Sequence, residues 1–170
     1  MERKNLWAPW RLKYIRSLSK TNECFFCHNL ANPQDDAENF VLWRTPCTIV
    51  IFNRYPYNNG HLLVAPIRHI ADLEKASDEE MNELLRVVRD VQKILTLAVN
   101  PKGFNIGINI GRCAGAGIPE HLHIHVVPRW EGDTNFMSVC TDTKIISQSL
   151  TELYKELKEV STKHNLPQLI

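Results

Sequence analysis

No apolar run in this 170-residue sequence approaches the length of a membrane span. The opening Met1-Glu2-Arg3-Lys4-Asn5-Leu6-Trp7 has no apolar stretch of the kind a secretory leader carries. Cysteines number five, an odd count that makes a poor disulfide framework. The expectation is a cytoplasmic protein with no membrane partner. Linkers and low-complexity stretches are missing too, so the 44% apolar content suits one domain over residues 1–170 with a proper core. Charge of one sign does not dominate, at a net +1, and no docking motif for nucleic acid stands out, so a nucleic-acid partner is not expected. The exception is local. Ahead of Thr21 stand Arg3, Lys4, Arg11, Lys13, Arg16 and Lys20 against Glu2 alone. Such a skew is usually a solvated face, and it also suits attraction of a polyanionic substrate.

What is present reads as short strands and two helices. Asn39 to Arg44 and Cys47 to Asn53 are apolar, partly β-branched runs split by Thr45-Pro46, the pattern of two strands joined by a turn. His61 to Ile67 follows the Asn58-Asn59-Gly60 turn as a third strand. Ser77-Asp78-Glu79-Glu80 is a capping box, after which Met81, Leu84, Leu85, Val88, Val91, Leu95 and Ala98 fall on one helical face until Asn100-Pro101. Phe104 to Ile110 and His121 to Val127 are the remaining strands, facing each other across a glycine-bearing loop. A second helix is predicted from Ser147 to about Lys163, with Leu150, Leu153, Tyr154, Leu157 and Val160 as its stripe. Strands joined by short turns, with few helices between them, predict an α+β domain with a mostly antiparallel sheet.

Two clusters carry chemistry. In His121-Leu122-His123-Ile124-His125-Val126-Val127 three histidines recur at strand period, so all three imidazoles share one face. At about 3.3 Å per residue the outer two stand about 13 Å apart, whereas metal–imidazole bonds are about 2.0 to 2.1 Å long. One ion does not hold all three, which leaves at least one histidine for nucleophilic or acid–base work. The stretch Gly111 to Gly117 just upstream allows close backbone approach to a phosphate and offers N–H donors. Cys24-Phe25-Phe26-Cys27 is a CxxC that lacks the βαβ context of a thioredoxin-type redox pair, so zinc is the stronger reading, and it needs two further ligands. His28, adjacent to Cys27, is one candidate. Cys47, Cys113 and Cys140 show no pairing pattern and read as small buried residues or free thiols.

The triad, with Phe52-Asn53-Arg54-Tyr55-Pro56-Tyr57-Asn58-Asn59-Gly60-His61-Leu62-Leu63-Val64 upstream and Pro128-Arg129 downstream, resembles the histidine triad (HIT) family. The resemblance covers roughly residues 22–137 as a HIT core, leaving 1–21 as an N-terminal extension and 138–170 as a C-terminal segment with a helix. It implies a five-stranded sheet with the long helix packed on it, paired as a homodimer. It implies that His123 attacks the α-phosphorus of a nucleotide to give a nucleotidyl-histidine, and that His125 donates to the phosphate or the leaving oxygen. Asn53 and Asn109 resemble the family's contacts to ribose and phosphate, and Gly115, Gly117 and Ile118 fall in its phosphate-binding loop. His61 lies near the nucleotide pocket by resemblance, while Gly60-His61 reads equally as a turn with a strand-starting histidine. Members with an N-terminal CxxC imply a closed structural zinc site of Cys24, Cys27, His69 and His121, in preference to His28.

Leu6-Trp7-Ala8-Pro9-Trp10-Arg11, Pro128-Arg129-Trp130 and Gly132-Asp133-Thr134-Asn135-Phe136-Met137 are similar to segments of the branch that holds diadenosine polyphosphate hydrolases and phosphorylases. The substrate so implied is a dinucleoside polyphosphate. Adenosine phosphoramidate cleavage and a zinc-stabilised nucleotide-binding module with little turnover are the alternatives. The basic N-terminus and Arg129 offer positive charge for inorganic phosphate as acceptor.

Overall fold

A computed structural model describes residues 24–134 and 145–168. The N-terminal extension with its basic residues and Trp7 and Trp10, Cys140, and the end of the Gly132–Met137 segment lie outside the described residues.

Five strands form one sheet in the order β1-β2-β3-β5-β4, every neighbour antiparallel. They are β1 (Val41–Arg44), β2 (Thr48–Phe52), β3 (Leu62–Pro66), β4 (Gly103–Ile108) and β5 (Ile124–Arg129). Among the described residues three α-helices accompany them: α1 (Phe25–Ala31), α2 (Asp78–Val99) and α3 (Leu150–His164). The expected α+β architecture with a long helix and a C-terminal helix is therefore present, and its elements follow from the sequence. Ser77 accepts from the Glu80 N–H while Glu80 accepts from the Ser77 N–H, so the predicted capping box starts α2. A second box, Ser149 with Glu152, starts α3 at Leu150, three residues beyond the predicted Ser147.

Central strands β2 and β3 are buried along their whole length, because both faces of the sheet are covered. On one face Leu42, Val50, Phe52, Leu62, Val64 and Val126 pack under α2 and α3. On the other, Phe26 of α1 packs with Val41, Ile49, Ile51, Leu63 and Ala65. Directly opposed residues of an antiparallel pair share a face, so the register Ile51↔Leu63, Leu63↔His125 and Gly107↔His125 draws one row across the sheet on the α1 side. That row delivers His125 to the site. At the hairpin before it, Gly60 has φ +73°, and a Cβ there would stand 3.0 Å from Leu95 Cδ2 and 3.1 Å from Pro128 Cγ. Only glycine fits this turn.

Two expectations need correction. Leu85 is 63% exposed, because the buried stripe of α2 runs through Leu84, Val87, Val88, Val91, Ile94 and Leu95 instead. Strand β5 begins at Ile124, so His121 and His123 precede it. The glycine loop holds a short 3-10 turn, Arg112–Ala114, between Gly111 and Gly115, both at positive φ. Helix α1, over the CxxC, has no counterpart in the sequence reading.

Candidate functional site

The segment ahead of β5 is held extended by the Leu122 N–H, which donates to the Ile70 carbonyl at 2.6 Å. Leu122 is buried on one side and the histidines stay on the other, so alternation survives beyond the ladder. Phe26 lies against both leading histidines, its ring centroid 4.8 Å from His121 and 5.5 Å from His123. His123 and His125 meet edge to face at 4.9 Å. Tyr57 stacks on His125 at 5.7 Å and 17°.

Hydrogen bonds assign the ring protons. His123 Nδ1 lies 2.8 Å from the His121 carbonyl, which only accepts, so Nδ1 carries the proton and Nε2 keeps its lone pair. Burial lowers the His123 pKa, against the smaller opposing effect of that hydrogen bond, and the ring is neutral at pH 7. His61 takes the opposite tautomer. The Tyr57 N–H donates to His61 Nδ1 at 3.0 Å, so the His61 proton sits on Nε2, 3.0 Å from His125 Nδ1. His125 Nδ1 therefore accepts, and His125 carries its proton on Nε2. Two neighbouring imidazoles are thus set apart, His123 with its lone pair on Nε2 and His125 with a hydrogen-bond donor there. His61, 1% exposed, sits just before β3 and acts on the site through His125.

Beside the triad four donor atoms converge. Cys24, Cys27, His69 and His121 each offer one ligand atom, all within 4.8 Å of one another. Cys24 Sγ lies 3.2 Å and Cys27 Sγ 3.7 Å from His121 Nδ1, and Cys27 Sγ lies 3.2 Å from His69 Nδ1. A tetrahedron with bonds of about 2.0 to 2.3 Å spaces its ligands about 3.3 to 3.8 Å apart. His121 Nε2 donates to the Pro66 carbonyl at 2.8 Å, which leaves Nδ1 as the lone-pair nitrogen toward the cysteines. Burial pushes the His121 pKa down to about 4 and the Cys24 thiol up to about 11. A neutral imidazole is what a metal needs, and a thiolate in this setting needs a cation. The donor set fits zinc. His28, the rival ligand, is outside the cluster and exposed, because α1 turns it about 100° from Cys27.

A cavity of about 260 Å³ lies between α1 and the sheet, with Phe25, Ile51 and Leu63 as apolar wall and Asn53 at its edge. Asn53 Nδ2 is 3.3 Å from His61 Nδ1, which joins the cavity to the histidine row. The sequence reading found Asn53 and missed the cavity, although Ile51 and Leu63, on strands paired across the sheet, were the available signal. Asn109 lies one residue past the Ile108↔Ile124 pair, level with the start of β5. Gly115, Gly117 and Ile118 follow in the loop that returns to His121, with Ile118 packed on the α1-side core. Arg129 does not offer free charge. It donates to Asp133 at 2.6 and 2.9 Å and to Asn105 at 2.6 Å, and its guanidinium holds Asp133 well below the usual carboxylate range.

Fold and histidine row together define a histidine triad protein. The HIT domain model matches residues 34–132, and the chain belongs to the HIT family. It is 36% identical over 153 residues to the AP-4-A phosphorylase of Mycobacterium tuberculosis, an overlap of 86% of this chain and 78% of that protein. The asymmetrical bis(5'-nucleosyl)-tetraphosphatase of Schizosaccharomyces pombe is 34% identical over 93 residues, 55% of this chain and 50% of that protein. Among solved structures, a Zn-bound histidine triad family protein from Mycobacterium smegmatis shares the fold at TM-score 0.68 and 24% identity, covering 84% of this chain and 96% of its own. A hypothetical histidine triad nucleotide-binding protein from Sulfolobus tokodaii superposes at TM-score 0.66 and 30% identity, over 82% of this chain and 93% of its own.

Proposed function

We propose that this chain is a nucleotidyl-transferring enzyme that cleaves dinucleoside polyphosphates at the α-phosphate through a covalent nucleotidyl-His123. The observation that carries this reading is the pair of opposed tautomers. His123 Nε2 brings a lone pair to phosphorus, and the bond from phosphorus to the leaving polyphosphate oxygen breaks. His125 Nε2–H donates a hydrogen bond to that oxygen as it leaves with the electron pair, and His61 Nε2–H holds His125 in register. Inorganic phosphate then attacks phosphorus through an unprotonated oxygen, and the bond from phosphorus to Nε2 breaks to return neutral His123. Asn53 at the cavity edge suits the ribose, and Asn109 with the backbone N–H groups around Gly115, Gly117 and Ile118 suits the phosphate charge that develops. Beside His125, Gly107 leaves open space where a side chain would crowd the phosphate.

Cys24, Cys27, His69 and His121 would hold zinc as a closed structural site, whose role is to add folding free energy and tie α1 to the histidine segment. Residues 1–170 are read as one domain. A homodimer is supported by the edge strand β4, whose Asn105, Ile106 and Gly107 are exposed. No described helix is long and apolar enough to cross a membrane, and a cytoplasmic location agrees with the described cysteines, Cys24, Cys27, Cys47 and Cys113, being free rather than bridged.

Phosphate is favoured over water as acceptor by the relative named AP-4-A phosphorylase, which overlaps 86% of this chain. The test is incubation with diadenosine tetraphosphate with and without inorganic phosphate. ADP plus ATP, at a rate that depends on phosphate, is expected. AMP plus ATP at an unchanged rate would make the enzyme a hydrolase, and no turnover would overturn the enzymatic reading.

A further inference from the structure

Helix α1 is 7 residues long and turns two of them, Phe26 and Asn29, into the protein. Phe26 is an ordinary core residue. Asn29 is not, because it is 6% exposed and lines the cavity whose wall is Phe25, Ile51 and Leu63. Spaced three apart, the two side chains lie on the same face of the helix, toward the sheet. The Asn29 backbone carbonyl is occupied on the far side, accepting from Arg44 Nη2 at 2.6 Å and from the Asn32 N–H at 3.2 Å. No described residue hydrogen-bonds the Asn29 side-chain amide. The amide is not sealed from solvent, so in the cavity its donor and its acceptor both stand available to a ligand.

We infer that Asn29 is a specificity-determining residue whose amide reads the edge of the nucleobase, selecting a 6-aminopurine. The inference rests on the nucleotide reading above and adds which base the enzyme takes. A carboxamide presents one acceptor and a donor group side by side. Adenine meets both with its 6-amino group and the bare ring nitrogen beside it. The cavity supplies the rest. Its apolar wall suits the faces of a planar heterocycle, its volume is near the lower end for small-molecule pockets, and Asn53 stands where the base would join its sugar.

The experiment compares kcat/KM for diadenosine tetraphosphate with that for the analogue in which both adenines are replaced by unsubstituted purine. It uses the whole chain and the variants Asn29→Leu and Asn29→Ser. The native protein is expected to prefer the 6-amino substrate by about tenfold or more. Asn29→Leu, and Asn29→Ser where leucine perturbs the helix, should bring that preference below about twofold, mainly by lowering activity toward the 6-amino substrate. The native-protein arm needs no variant to fold. Equal rates on the two substrates, or an undiminished preference in both variants, would overturn the role of Asn29 and leave the proposed reaction standing. Failure of the native protein to turn over either substrate would overturn both.

Discussion

Replacing His61 by phenylalanine tests the tautomer assignment that separates His123 from His125. The substitution keeps a planar ring in a site that is 1% exposed, so it opens little cavity. It removes the Nδ1 acceptor, which faces the Tyr57 N–H at 3.0 Å and Asn53 Nδ2 at 3.3 Å, and the Nε2 donor to His125 Nδ1 at 3.0 Å. Each buried polar group left unpaired costs about 1 to 3 kcal/mol, so the Tyr57 N–H and His125 Nδ1 together give a stability loss of about 2 to 6 kcal/mol. A domain is typically stable by roughly 5 to 15 kcal/mol, so the variant is assayed at low temperature. Catalysis should suffer in a particular way. With Nδ1 unpaired, His125 is free to carry its proton on either nitrogen and to rotate, so its hydrogen bond to the leaving atom is weakened. A preorganised donor of this kind is worth about 10² to 10³ in rate, and a fall of about 100-fold in kcat with KM nearly unchanged is expected for a poor leaving group. The assay pairs adenosine 5'-phosphoramidate, whose amine leaves poorly, with the p-nitrophenyl ester of AMP, whose phenolate leaves without help. His61→Phe and His125→Phe should both lose far more on the first substrate than on the second. Equal losses on the two substrates, in protein shown folded by circular dichroism, would refute the assignment.

His123→Ala should abolish turnover while nucleotide binding and the thermal transition persist, and an alkaline denaturing quench of the native enzyme with an α-³²P substrate, which spares the acid-labile P–N bond, should leave label on protein that the variant lacks. Elemental analysis should give about one zinc per chain, and Cys24→Ser should lower Tm by several degrees, with chelator reproducing the effect. Glu80 accepts from Arg68 at 2.7 and 2.9 Å and from the Ser77 N–H at 2.8 Å, and Arg68 foremost holds its pKa at about 2. A carboxylate depressed in the folded state stabilises above its unfolded pKa of about 4.3, and that contribution is lost as pH falls from there toward 2. Because the Arg68 side chain is 55% exposed, screening reduces the effect to about 1 kcal/mol. Urea denaturation of Glu80→Gln should show that deficit at pH 7 and a smaller one at pH 4, and an equal deficit at both would contradict the charge-based account.

Legibility in the sequence followed the range of the forces involved. Strands β1 to β5 and helix α2 were readable because alternation, turn residues and the Ser77–Glu80 box act within a few residues. Helix α1 was hidden because 7 residues of FFCHNLA give too short a window for a helical period, and what holds them is Phe26 packed against the sheet and the histidines. The exposure of Leu85 turned on where α3 and the sheet meet α2, which periodicity around one helix does not specify. At the site, residue types were readable and relations were not. The triad announced a nucleophile, yet only coordinates put the Tyr57 N–H on His61, and with it the proton on His125. Arg129 looked available for phosphate until Asp133, four residues on, was seen to hold it.

One residue joins the two halves of the site. The His121 imidazole sits in the cysteine cluster through Nδ1, and its backbone carbonyl holds Nδ1 of His123 at 2.8 Å. Its Nε2 donates to Pro66 at the end of β3, the strand that also pairs with β5. The group that orients His123 is thus fixed from its own side chain by two contacts, on α1 and on the sheet. Phe26 closes the arrangement, in contact with both rings and 0% exposed. A histidine at this position with its side chain free would leave the carbonyl to drift with the segment before β5. The first histidine of the row therefore belongs to positioning rather than to chemistry, which agrees with the spacing that keeps one ion from reaching all three.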